Sequence, residues 1–180
     1  MALLATLVLS QNAAADDLFE IEVESSSALT LGTGVVAEIL CGDENLVVLE
    51  TSEHVFERMK VRVRGDHLAI ERSVSLDNYR FQRGDHVRAT ITTTGALHGV
   101  KASTGAVLEM PSCSVDETDL RVSVSIGAHL CIEGRTEDLD LKVGTSGIFN
   151  AGRFKDRLEV DSAHVKVSTG GVVGLCAADR

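Results

Sequence analysis

Apolar and polar residues alternate along this chain in short bursts, separated by corners of small residues. The segment FEIEVES (19–25) places Ile21 and Val23 on one face and glutamates on the other. In MKVRVRGDHLAIER (59–72), Val61 and Val63 alternate with Arg62 and Arg64, the chain turns at Gly65-Asp66, and Leu68 and Ile70 follow. Period-two patterning predicts strands with one face in solvent, and the second segment predicts a hairpin. Between them TSEHVFERM (51–59) predicts one or two helical turns opened by Thr51 or Ser52. LDNYRFQRGDH (76–86) reads as a polar loop.

From Val87 onward one theme recurs as VRATITTTGALHGVKASTGAVLEM, LRVSVSIGAHLCIEG, LDLKVGTSGIFNAG and LEVDSAHVKVSTGGVV. Leu120, Leu139 and Leu158 stand 19 residues apart, and the corner glycines Gly105, Gly127, Gly147 and Gly170 follow at intervals of 22, 20 and 23. One such pass cannot bury its apolar face alone, so a strand-and-corner repeat of about 20 residues predicts stacking. With passes stacked at about 4.8 Å, Val122, Val124, Ile126, Leu130 and Ile132 should point inward, and Leu139, Leu141 and Val143 should lie over or under them. A leucine-rich repeat would need an Asn or Cys ladder that is missing. The expectation is an all-β stacked solenoid, with an antiparallel β-sandwich as the alternative.

Composition narrows the partners. The 180 residues carry a net charge of −10 and no Lys/Arg run, which argues against nucleic acid and against an anionic membrane surface. Aromatic residues make up 3% of the chain and Trp is absent, so sugar stacking has little to work with. Cys41, Cys113, Cys131 and Cys176 show neither CxxC nor zinc spacing. Three full disulfide connectivities are open, and thiols left unpaired are the slightly favoured expectation. Ala2 to Leu9 form an apolar run ahead of Ala13-Ala14-Ala15, so residues 1–15 read as a signal peptide, although no Lys or Arg precedes the run. A buried first strand or helix is the other reading of that segment. The run is too short for a transmembrane helix.

SIGAHLCIEG, GTSGIFNAG and STGGVVGL, after the leading FEIEVESSSALTLGTGVVAEILCGDENLVV, resemble the head GIN domain family of auto-transporter adhesins, over most of 19–177. The resemblance implies a right-handed single-stranded parallel β-helix with coils of about 20 residues. It also implies export to the periplasm or cell surface and no established catalysis. The corners here read Ile126-Gly127, Ser146-Gly147 and Thr169-Gly170 in place of the family's Ser-Gly-Ala-Gly. Residues 16–180 form a single expected domain, with first-half strands in 19–72 and the clearest repeats in 87–177.

No phosphate loop, HExxH or GxSxG motif occurs. His54, His67, His86, His98, His129 and His164 lack ligand spacing and read as surface histidines. The acidic runs Asp116 to Asp119 and Glu137 to Asp140 could meet across adjacent coils, but the glycine-aspartate calcium repeat is missing and they read as solvated links. No catalytic, cofactor or metal residue is assigned. If a polymer binds, its contacts would come from the outward Ser123, Ser125, Lys142, Lys166 and Ser168. The expected role is a non-enzymatic, exported adhesion or protein/polysaccharide interaction module of the bacterial cell envelope, with two copies pairing through coil ends. A self-assembling structural element of the envelope is the alternative, and a polysaccharide-active enzyme ranks third.

Overall fold

The computed structural model describes residues 17–73, 86–153 and 156–174. The expected signal peptide, most of the polar loop and Cys176 lie outside the described residues. Two eight-stranded mixed sheets hold most of the described residues. Strands are numbered in chain order. The first sheet runs β1 (Asp17–Glu22), β4 (Leu46–Thr51), β7 (Val87–Thr93), β3 (Val35–Cys41), β9 (Val107–Met110), β11 (His129–Ile132), β13 (Ile148–Asn150) and β16 (Val172–Gly174). The second runs β5 (Met59–Arg64), β6 (His67–Arg72), β2 (Ala28–Leu31), β8 (Gly99–Ala102), β10 (Asp119–Val124), β12 (Gly134–Val143), β15 (Asp156–Val167) and β14 (Gly152–Arg153). Inward residues of both sheets join in one apolar cluster.

Pairing is parallel through the middle of each sheet; it is antiparallel at both ends of the second sheet and at the β1 end of the first, whose other end, β13 with β16, is parallel. From Gly99 onward, each pass lays one strand in each sheet and the next pass pairs beside it in parallel. The order of passes is not the order of the chain. The first pass, β2 with β3, lies between β6 with β7 on one side and β8 with β9 on the other. Beyond β7 come β4 and β1, and beyond β6 comes β5, all antiparallel. These first-half strands cover the edges that the parallel stack would otherwise expose at that end, where unpaired N–H and C=O groups invite association. A single helical turn, α1 (Glu53–Phe56), follows β4; Ser52 precedes it, but its hydroxyl meets His54 Nδ1 at 3.0 Å rather than capping the turn.

The leucine periodicity holds for one step and then slips. Leu120 pairs with Leu139, but Leu139 pairs with Ala163, while Leu158 pairs with Gly134. The β14–β15 hairpin, closed by Gly152 with Arg157, inserts the extra residues. Val122, Val124, Leu130 and Ile132 are buried as expected, whereas Ile126 is 53% exposed. Its φ of 52° places it in the corner, where the chain turns outward.

Those corners share one backbone device, two successive residues with positive φ: Thr33-Gly34, Thr104-Gly105, Ile126-Gly127, Thr145-Ser146 and Thr169-Gly170. In the first four corners the second residue donates its N–H to the first residue of the next corner, as Gly105 N to Ile126 O at 2.9 Å and Ser146 N to Thr169 O at 3.0 Å. Gly147 is therefore not the turn glycine of its pass. It is glycine for a different reason: a Cβ there would sit 2.6 Å from the carbonyl oxygen of Val124.

One expectation is corrected outright. Cys41 and Cys113 form a disulfide, with Cα atoms 6.3 Å apart. They lie 72 residues apart in sequence, and stacking of β3 near the 3₁₀ turn Ser112–Ser114 brings them together. No local spacing announces such a pair.

Candidate functional site

The outer face of the second sheet carries the most organised set of polar groups. In a sheet of in-register strands, outward residues line up in rows perpendicular to the chain. One row reads Arg62, Ala69, Thr30, Lys101, Ser123, Lys142, Lys166, through consecutive register pairs from β5 to β15. Six strand steps at about 4.8 Å give it a length of about 29 Å. It holds four cations and no carboxylate, and all four are exposed. Among the described residues, no ion pair engages Arg62, Lys101 or Lys166. Lys142 is paired, its Nζ 3.1 Å from Asp140 Oδ2 in the adjacent row. Thr30 Oγ1 lies 2.9 Å from His67 Nε2, which orients both groups beside the row.

The adjacent row reads Arg64, His67, Ala28, Gly99, Arg121, Asp140, His164. Arg121 pairs with Asp119 at 3.3 Å. The opposite sheet differs. Its outward positions include Glu20, Glu22, Glu38, Glu50 and Glu109, with Arg88 paired to Glu50 at 3.8 Å. It also displays Leu18, Val36, Leu40, Ile148 and Val172. The chain is acidic overall, but its two faces are not alike.

Of the five residues named from sequence, the structure brings Ser123, Lys142 and Lys166 into one row. Ser125 and Ser168 stack in the neighbouring corner on either side of Gly144, held by Ser125 N to Ala102 O and Ser168 N to Val143 O. Sequence reasoning missed Lys101, Arg62 and Thr30. Lys101 had a visible signal, since GVKA is a short strand of the same parity. The alternation in 59–64 showed Arg62 facing outward, but its place in the row, like that of Thr30, was not visible, because the β6–β2–β8 order is not sequential.

The acidic runs do meet: Asp119 pairs with Asp138, and Glu137 N donates to Glu117 O at 2.8 Å. Asp116 caps its own turn, accepting from the Thr118 hydroxyl and, at 2.8 and 3.2 Å, from the backbone N–H groups of Thr118 and Asp119. The Thr118 hydroxyl, then these N–H groups, hold its carboxyl below the usual carboxylate range. Asp66 is held low in the same direction, first by the Ser27 hydroxyl 2.7 Å away. Among the described residues, no three His, Cys, Asp or Glu side chains gather where one metal ion could bind. His129 Nε2 contacts Asn150 Nδ2 at 2.8 Å, and the described histidines are divided between exposed and half-buried positions.

The fold agrees with the comparisons. Residues 26–180 match the family model described as "Putative auto-transporter adhesin, head GIN domain", and the chain belongs to that family. A solved structure described as a putative adhesin, from Parabacteroides merdae ATCC 43184, superposes with a TM-score of 0.54 at 13% identity, covering 87% of this chain and 79% of its own. A putative cell adhesion protein from Clostridium sporogenes ATCC 15579 gives 0.46 at 14% identity, covering 88% and 98%. A putative lipid binding protein from Parabacteroides distasonis ATCC 8503 gives 0.49 at 10%, covering 91% and 98%. No curated protein matches the sequence. The family is described by adhesion.

Proposed function

We propose that this protein is a non-enzymatic, exported interaction module of the bacterial envelope, built as a right-handed parallel β-solenoid with capping strands at one end. The single observation that carries the reading is a row of four cations with no carboxylate within it, on an acidic protein. Isolated surface charges are expected anywhere, but four cations aligned in register across seven strands make an extended binding surface. Lys142 and Lys166 are direct neighbours on adjacent strands, an arrangement that disfavours the free fold and that a bound anion relieves. The Cys41–Cys113 disulfide supports an oxidising compartment. Residues 1–15 then serve as the export signal. Among the described residues no helix is long and apolar enough to cross a membrane.

Fractionation of cells expressing the full chain, with N-terminal sequencing of the product and sedimentation with isolated envelopes, tests this reading. A processed, oxidised protein that sediments with envelopes is expected. An unprocessed cytoplasmic product with reduced thiols overturns it.

A second reading concerns the far end of the stack. There Val165 and Val173 are only half-buried although they continue the inward columns, and Val167 is 50% exposed. Two copies joined through this end would cover them. Sedimentation velocity should show a concentration-dependent dimer; a monomer at every concentration removes the idea.

A further inference from the structure

We infer that the row Arg62, Lys101, Lys142, Lys166 is the seat of a linear polysaccharide bearing carboxylates, lying across the strands of the second sheet. The inference rests on the interaction-module reading and names its ligand class. Three features point to that chemistry. The first is charge spacing. Arg62 and Lys101 are three strand steps apart, Lys101 and Lys142 two, and Lys142 and Lys166 one, so at about 4.8 Å per step the cations fall about 14, 10 and 5 Å apart. Sparse charge of this kind suits a glycan with one carboxylate on each sugar or on alternate sugars. Duplex DNA, with a charge for about every 1.7 Å of axis, would leave most of its phosphates unneutralised here and face a protein of the same sign.

The second feature is what lies between the cations. Ala69, Thr30 and Ser123 are small, so a chain can approach the sheet closely, and two of them offer hydroxyls to sugar hydroxyls. The third is what the face lacks. Of the exposed large apolar residues, Leu18, Val36, Leu40, Ile148 and Val172 belong to the other sheet, Ile126 sits in a corner, and Val167 has inward parity and is bared only at the last edge, so a lipid surface would find no apolar patch along the row to insert against. Among the described residues aromatic platforms for bases are missing too: Phe19 and Phe56 stack on each other and Phe149 is fully buried. The carboxylates of such a polymer would be held by Lys and Arg ammonium and guanidinium groups, unassisted by a metal.

Affinity electrophoresis of the full chain through gels containing polygalacturonate or alginate tests the assignment, with neutral dextran, single-stranded DNA and anionic phospholipid vesicles as competitors. Retardation by the polyuronates, weakening steeply between low and physiological salt, is expected. Lys101→Gln, Lys142→Gln and Lys166→Gln together should weaken it by roughly tenfold or more, while the triple Lys→Arg variant retains it, which separates lost charge from lost fold. Unchanged retardation of the triple Gln variant overturns the proposal. So does equal retardation by dextran, or tighter binding of DNA or vesicles. Wild-type protein that sediments with envelopes yet ignores both polyuronates sinks the ligand assignment and leaves the module reading standing; failure of both removes both.

Discussion

Single residues in the corners carry much of the local strain. Thr145 and Ser146 occupy the positive-φ pair without glycine, with φ of 43° and 60°, where four sibling corners place glycine second. Ser146→Gly should therefore stabilise the protein, by about 1 kcal/mol at most once the added freedom of the unfolded chain is set against the relieved strain. Gly147→Ala should act the other way. Its Cβ would meet the Val124 carbonyl at 2.6 Å, and moving that strand costs about 1–3 kcal/mol. Urea titration of both variants beside wild type checks sign and size. These are neighbouring residues in one corner, and only the stacking of passes distinguishes them. From the sequence, Gly147 looked like the turn glycine because its interval fits; its real constraint comes from a strand one pass away.

At the level of elements, the strands themselves are largely legible. The alternation in 59–72 gives the β5–β6 hairpin, closed at Gly65 with φ 62°, and Leu139, Leu141 and Val143 do stack on Leu120, Val122 and Val124. Period-two burial is a local property, so the sequence displays it. The links are less legible. The disulfide that joins β3 to the 3₁₀ turn should stabilise the fold by about 2–4 kcal/mol, since it closes a long loop in the unfolded chain. Paired Cys41→Ser and Cys113→Ser substitutions, read by denaturant midpoint, should show that loss. The link at Asp116 has a pH signature. Its carboxyl titrates below the usual range in the folded protein, so its contribution is full above the unfolded pKa of about 4 and is lost as pH falls through the folded value. Asp116→Ala should be less stable than wild type at neutral pH, and the gap should close on acidification below about pH 4.

For the molecule as a whole, the informative quantity is how charge is shared between faces. A net charge of −10 argued against nucleic acid and against an anionic membrane surface, and as an average that argument is sound. The average conceals a first sheet rich in outward glutamate and a second sheet with a cationic row. Opposite mutations on the two faces should therefore have unequal effects on envelope binding: Glu38→Gln with Glu109→Gln should leave sedimentation with envelopes within about twofold, whereas the triple Lys→Gln variant should abolish most of it. The strand character, the repeat near 20 residues, the inward columns and the outward parity of Lys142 and Lys166 were written in the order of residues, because each depends on neighbours a few positions away. Which passes lie side by side was not. The first pass inserts between the second and third, the β14–β15 hairpin shifts the last by a handful of residues, and the cysteines meet across 72 positions. Those arrangements follow from how whole apolar faces cover one another, a free energy summed over the assembled core, and through them Arg62 and Thr30 join the row.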